Sequence, residues 1–327
     1  MSGNPTYAVE LTAPELSGYR DGNTGVDYVH RLDSGRPGPE AMINAVIHGN
    51  ELCGAIALDT LMRAGLKPTR GALTLCFVNP NAYNRFDPEN PTRSRFVDQD
   101  MNRVWTSEQL DGPKDSAELT RARELRPFFD RAERLLDIHS MGTFSDPILL
   151  IHGLDKERRF AGEMGYPVTV ACGQGHVDGL RLIEYAPFND PDSDRIAVLV
   201  ECGQHWAKGS DVVAIDTALY FLDALGMVDP AFLSAHVSAP RPQDQLILEV
   251  TDGYNIRTAD FYFTHNFKGL ERFPNAGFVF AVDGGEEVRT PFDDCVLIMP
   301  NHRAVKGQRA FRLGRHVSGP SPLPFEG

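Results

Sequence analysis

An imidazole and a carboxylate three residues apart, His48 and Glu51 in Ala45-Val-Ile-His-Gly-Asn-Glu51, have types and a spacing that suit chemistry. The apolar run 41–47 is expected to form a strand that delivers His48 to its end. Gly49-Asn50 then turns the chain and Glu51 opens a helix. Across such a strand-to-helix junction the two side chains can point the same way, and both are ligand types that Zn²⁺ accepts. In Arg134-Leu-Leu-Asp-Ile-His139-Ser140 a second apolar strand ends on a histidine where the chain turns. Ligands gather at the carboxyl ends of strands in open α/β sheets, so the fold alone can bring His139 beside His48. The candidate metal site is therefore His48, Glu51 and His139, with a fourth position open for water.

Two further stretches carry polar groups that such a site would use. The segment Arg95-Phe-Val-Asp-Gln-Asp-Met-Asn102-Arg103 offers a bidentate fork for a carboxylate and further donors for a developing oxyanion. In Arg195-Ile-Ala-Val-Leu-Val-Glu201 a carboxylate closes an apolar strand, where burial would raise its pKa and suit it to proton transfer near neutrality. Taken singly, each stretch has an ordinary explanation. One His-x-x-Glu is expected by chance about once in a chain of this histidine content, and arginines in a polar loop are usually solvated.

The elements that must position these residues follow from periodicity. Short apolar runs bounded by turns predict strands over residues 42–47, 73–78, 135–138, 148–151, 168–171 and 196–200. Helical patterns over 51–64, 116–133, 156–164 and 212–225 alternate with several of them, which predicts a mostly parallel (mixed) sheet flanked by helices. Gly226-Met-Val-Asp-Pro230 reads as a helix stop and a domain boundary, giving an α/β domain over 1–228 and a smaller all-β domain over 229–327. Beyond that boundary helical periodicity is absent, and strands are expected at 245–250, 261–264, 277–282, 295–299 and 309–313. Residues 288–313 resemble the biotinyl/lipoyl-like hybrid barrel. Ile298-Met-Pro-Asn301, at the hairpin tip where such carriers present a modifiable lysine, has none, so no attached cofactor is expected.

Composition narrows the classes. Of 327 residues, 32 are Lys or Arg and 45 Asp or Glu, a net charge of −13 that argues against nucleic acid or an anionic membrane as partner. The sequence contains no apolar run of about 18 residues and no signal pattern at its start, so a soluble cytoplasmic protein is expected. Five widely spaced cysteines imply no disulfide framework. Homo-oligomerisation is left open.

The four stretches, in this order and at these separations, resemble the succinylglutamate desuccinylase/aspartoacylase family of zinc-dependent deacylases, relatives of the metallocarboxypeptidases. The resemblance spans roughly residues 42–205. It implies a zinc-carboxypeptidase-like fold and one Zn²⁺ per chain on His48, Glu51 and His139. It further implies Glu201 as general base and acid, Arg95 at the substrate carbonyl, and Asn102 and Arg103 on a substrate carboxylate. The expected activity is hydrolysis of the amide bond of an N-acyl amino acid or related small amide.

One departure bears on specificity. Aspartoacylase carries a further arginine shortly before its catalytic glutamate, for which the candidate here is Arg195, and Asn189-Asp-Pro-Asp-Ser-Asp194 is acidic. An acidic loop near the pocket would fit an amine-bearing or neutral side chain rather than N-acetylaspartate. Whether His176, Arg195 and His205 line the pocket is open from sequence. The alternatives are a metallocarboxypeptidase-type peptidase, a non-catalytic acyl-amino-acid-binding protein on the same fold, and a cysteine hydrolase using Cys202.

Overall fold

A computed structural model describes residues 5–173 and 179–319. Its strands are β1 (Val29–Asp33), β2 (Glu40–Ala45), β3 (Ala72–Phe77), β4 (Arg134–Met141), β5 (Ile148–Ile151), β6 (Thr169–Cys172), β7 (Ile196–Gln204), β8 (Leu246–Asn255), β9 (Phe261–Phe263), β10 (Arg272–Phe273), β11 (Val279–Asp283), β12 (Glu286–Arg289), β13 (Cys295–Ile298) and β14 (Arg309–Ser318). The helices are α1 (Leu52–Arg63), α2 (Pro80–Tyr83), α3 (Ser107–Leu110), α4 (Ala117–Arg131), α5 (Asp155–Met164), α6 (Ser210–Ala224) and α7 (Pro230–His236).

Eleven strands form one sheet in the order β1-β3-β2-β4-β7-β5-β6-β8-β14-β13-β10, and β12-β11-β9 form a second, small sheet. At its centre β3, β2, β4 and β7 run parallel, whereas β5 lies antiparallel to β7. The fold is thus a mixed sheet flanked by helices with a smaller β-rich C-terminal part, as expected. That part is not detached from the sheet, because β8 pairs in parallel with β6 and carries β14 and β13 with it.

Strand alternation sorts the core into two layers. Leu136 and Ile138 of β4, with Val198 and Val200 of β7, pack on the face covered by α1, α5 and α6. Leu135 and Met141, with Ala197 and Leu199, pack on the other face against Leu119, Ala122, Leu125 and Phe129 of α4. The aromatic cluster of the C-terminal part, Phe263, Phe267, Phe273, Phe280 and Phe311, is a third core.

One expectation needs correction. Residues 229–327 are not all β, because Asp229 caps α7 by accepting from the N–H groups of Ala231 and Phe232. Pro230 sits at the first helical position, where its missing N–H costs nothing. Ahead of β2, β1 pairs antiparallel with β3 and closes the sheet edge. No helix among the described residues is long and apolar enough to cross a membrane.

Candidate active site

The connection from β2 to α1 is held in a strained, tightly packed form. Val46 takes φ = 67°, a conformation that disfavours a β-branched side chain by about 1–3 kcal/mol. Backbone bonds from Val78 N to Ala45 O (2.9 Å) and from Asn79 N to Val46 O (3.0 Å) hold it there. Gly49 lies so close to neighbouring backbone that a Cβ would sit 2.3 Å from the Ala82 carbonyl carbon and 2.4 Å from Ser94 O. Glycine is therefore required at this turn by close approach. Glu51 is the N-cap of α1, yet its side chain makes no capping bond. It turns to the two histidines instead.

One Glu51 oxygen lies 2.7 Å from His48 Nδ1, and the other lies 3.0 Å from His139 Nδ1 and accepts from Ser140 N at 3.0 Å. All three side chains are buried. The opposite ring nitrogens also face carboxylates, with His139 Nε2 2.8 Å from Asp137 Oδ2 and His48 Nε2 2.9 Å from Asp100 Oδ1. A carboxylate at Nε2 favours the proton there and leaves the Nδ1 lone pair for a cation. The three donors lie within 4.8 Å of one another, compact enough to close around one divalent ion. This His-Glu-His donor set fits zinc chemistry.

Charge points the same way. Burial alone would raise the Glu51 carboxyl, but the imidazoles of His48 and His139 outweigh it and hold it well below the usual carboxylate range. Burial opposes a charged His139, yet Asp137 and Glu51 push its pKa well above the ordinary imidazole value. Negative charge that retains a proton there also favours a cation in its place.

Glu201 meets this group through sheet register. It pairs with His139 across the parallel strands β4 and β7, so the two side chains emerge on one face about 5 Å apart at Cα. Burial, aided by the Glu51 charge and opposed by His139 and Arg95, pushes the Glu201 carboxyl up to about 8. Its Oε2 has no hydrogen-bond partner among the described residues.

The arginine loop wraps the open side. Arg95 Nη2 donates to Asp100 Oδ2 at 2.9 Å, and Nη1 lies 3.6 Å from Glu51. Asn102 Oδ1 accepts from Leu182 N at 2.8 Å, tying the loop to the Leu182–Glu184 turn, and Arg103 Nη1 donates to the Asn102 carbonyl at 2.6 Å. Arg95, Asn102 and Arg103 all line one cavity of about 670 Å³ with His48, Glu51, His139 and Glu201. The β13–β14 connection, from Met299 to Arg309, lines the same cavity.

Of the residues left open by the sequence, His205 belongs to the cavity. It lies with its Nδ1 2.9 Å from Ser140 Oγ, and burial pulls its pKa down to about 4, so it is neutral near pH 7. Arg195 does not belong to it. It immediately precedes β7, at the opposite end from Glu201 and roughly 20 Å away along the strand direction, and donates to the Asp130 carbonyl. The acidic loop goes with it, since Pro191, Ser193 and Asp194 line a separate cleft with Arg134 and Arg70. The acidic loop expected near the pocket therefore lies at a different cleft. His176 lies outside the described residues. Cys202 is buried against Cys53 and its thiol is pushed well above the usual range, first by burial, which removes the thiolate a cysteine hydrolase needs.

Sequence reasoning missed Asp100 and Asp137 as partners of the histidines, and Arg181, Arg309 and Arg312 as cavity residues. For Asp137 a signal existed, because residues i and i+2 of a strand share a face and Asp137-Ile-His139 is such a pair. Arg312 had none.

Fold and site together define an α/β protein with a His-Glu-His candidate metal site at the carboxyl edge of a mixed sheet. The model of the succinylglutamate desuccinylase/aspartoacylase catalytic domain matches residues 37–202, half of the chain, and the chain belongs to this family. Succinylglutamate desuccinylases of Pseudomonas aeruginosa and Pseudomonas paraeruginosa are each 33% identical to it, over 149 and 140 residues. Those alignments cover 42% and 40% of this chain, and the chain spans about two fifths of these relatives' length, 41% and 38%. Among solved structures, a succinylglutamate desuccinylase from Vibrio cholerae superposes with a TM-score of 0.64 at 17% identity, over 91% of this chain and 88% of that one. A product-bound ectoine utilization protein from Ruegeria pomeroyi gives 0.63 at 15% identity, over 88% of each chain. At these identities the structural likeness speaks for the fold.

Proposed function

We propose that the protein hydrolyses the amide bond of an N-acyl amino acid, with one Zn²⁺ held by His48, Glu51 and His139. The observation that carries this reading is the juxtaposition, in one cavity, of a compact His-Glu-His donor set with a buried glutamate, one of whose oxygens has no partner among the described residues. When bound, zinc would lower the pKa of a coordinated water toward about 7 and polarise the acyl carbonyl.

The chain's own residues do the rest. Glu201 takes a proton from the attacking water and returns it to the nitrogen as the C–N bond breaks, giving a carboxylate and a free amino acid. Burial suits it to both roles, and a nearby dication would offset part of the rise in its pKa. Arg95, steadied by Asp100, donates to the developing oxyanion. Asn102 and Arg103 bind the carboxylate of the amino acid. Asp137 and Asp100 orient the histidines. The β13–β14 connection lines the cavity, which favours a small substrate over a peptide.

Elemental analysis of protein purified without added metal, with turnover of N-acyl amino acids before and after chelation, tests the reading. About one zinc per chain and chelator-sensitive deacylation are expected. Failure to bind zinc when it is supplied would overturn it.

A further inference from the structure

The register of β4 and β7 breaks just past the candidate metal site. Glu201 pairs with His139, but the next matched pair is Gln204 with Met141, so β7 carries one residue more than β4 over this step. Gly203 sits in this bulge at φ = 109°, a conformation that favours glycine. The extra residue reverses the alternation of side chains beyond it. His205 therefore does not follow Glu201 to the His139 face but falls in with Ser140. Its backbone N–H donates to Met141 O at 2.8 Å, and its Nδ1 lies 2.9 Å from Ser140 Oγ, with both residues buried.

The hydrogen-bond inventory fixes the tautomer. Ser140 Oγ has no partner other than His205 Nδ1 among the described residues. As a donor to Nδ1 the hydroxyl uses its hydrogen. As an acceptor it would leave that hydrogen buried with nowhere to go, at a cost of about 1–3 kcal/mol. Nδ1 therefore accepts, and a neutral imidazole then carries its one proton on Nε2. That nitrogen has no partner among the described residues, yet it is not a buried orphan, because it opens to the cavity that His205 lines beside Gly142. Burial keeps the ring neutral near pH 7; Glu51 opposes this and Arg95, His48 and His139 reinforce it. His205 also stands outside the compact donor set of His48, Glu51 and His139, so its Nε2–H is left for the substrate. A neutral imidazole can stabilise a developing oxyanion without adding another charge to a buried site.

We propose that His205 is a second oxyanion donor, whose Nε2–H bonds to the acyl carbonyl oxygen as negative charge develops there, alongside Arg95. Ser140 is its positioning residue, holding the ring in the tautomer that can donate. His205 transfers no proton, and Glu201 keeps that task. This deepens the N-acyl amino acid reading above and rests on it.

Two measurements on the full chain supplied with zinc test the proposal. Nitrogen-15 NMR of histidine-labelled protein reads the tautomer without any turnover, the His205 signals being those missing from His205→Gln. A protonated Nε2 and a bare Nδ1 are expected at pH 7, and Ser140→Ala should populate both tautomers. Kinetics then use whichever of a panel of N-acetyl and N-succinyl amino acids wild type cleaves fastest. His205→Leu should lose about 10²- to 10³-fold in kcat with KM little changed and zinc content intact, because the bond forms only in the transition state. His205→Gln, whose amide N–H can stand in for the imidazole donor, should recover part of the loss, and Ser140→Ala should fall between wild type and His205→Leu. A proton on Nδ1 in wild type, or near-wild-type kcat in His205→Leu, would overturn the proposal and leave the deacylase reading intact. A wild type that cleaves nothing in the panel would overturn that reading, and the oxyanion role with it.

Discussion

Replacing Glu118 by glutamine should loosen the loop that carries Arg95, Asp100, Asn102 and Arg103. Glu118 is fully buried in the first turn of α4. One of its oxygens accepts from Val97 N at 2.6 Å and Asn79 Nδ2 at 3.1 Å, and the other from Asp98 N at 3.0 Å and Gln99 N at 3.2 Å. A glutamine amide must put its NH₂ in one of these two places, where it faces two donors with a donor. Asn79 cannot flip to compensate, because its Oδ1 already accepts from Ala82 N. At about 1–3 kcal/mol for each unsatisfied donor the loss is about 2–6 kcal/mol, and partial access of water to the loop places it near 2–4. Hydrogen exchange at the amides of residues 97–99 reads this directly, with protection expected to fall roughly 30- to 1,000-fold, since about 1.4 kcal/mol is tenfold. With the loop loosened, kcat/KM for the native substrate should fall while zinc content stays unchanged. Unaltered protection at residues 97–99 in Glu118→Gln would refute the claim that this carboxylate holds the loop.

Other substitutions separate the roles assigned around the cavity. Arg95→Ala should lose about 10²- to 10³-fold in kcat, and Glu201→Gln about 10²- to 10⁴-fold, each with zinc retained by elemental analysis; near-full activity in either would remove that residue from the mechanism. Asp137→Asn should weaken zinc affinity by about 10- to 100-fold in a chelator competition, because His139 loses the charged acceptor that raises its basicity and fixes its Nε2 proton. Away from the site, four hydrogen bonds, from Thr258 Oγ1 and N, Arg257 N and Tyr254 OH, overcome burial and lower the Asp283 pKa to about 2. Because the folded value is depressed, this stabilisation is complete above the ordinary value of 3.8 and is lost as pH falls from there toward 2. Urea midpoints should therefore separate wild type from Asp283→Asn at pH 7 and converge near pH 2, and a constant gap would contradict the assignment.

Much of this molecule could be read before any coordinates. The central parallel strands, α1 and α4 to α6 follow from apolar runs and helical periods; His139 and Glu201 sit on strands, and His48 follows one, whose end is marked by its own local sequence. Their meeting needs nothing more than parallel strands in adjacent positions, because register then brings the three ends together. Two elements were harder: α7 has only seven residues and follows a helix stop, and β1, Val-His-Arg-Leu-Asp, is too polar to stand out as an apolar run.

The sequence by itself picked out the candidate ligand set, the candidate base and the arginine loop, all within segments whose geometry is local to a strand end or a turn. Tertiary structure alone decided which charges face the cavity. Arg195 and the acidic loop, near Glu201 in sequence, stand at the far end of β7, while Arg312, more than a hundred residues beyond Glu201, lines the cavity itself. A strand carries its residues about 3.3 Å apart per step, so six positions span the sheet, whereas non-local pairing of β8 with β6 and β14 with β8 brings the distant strand home. No local pattern encodes that pairing.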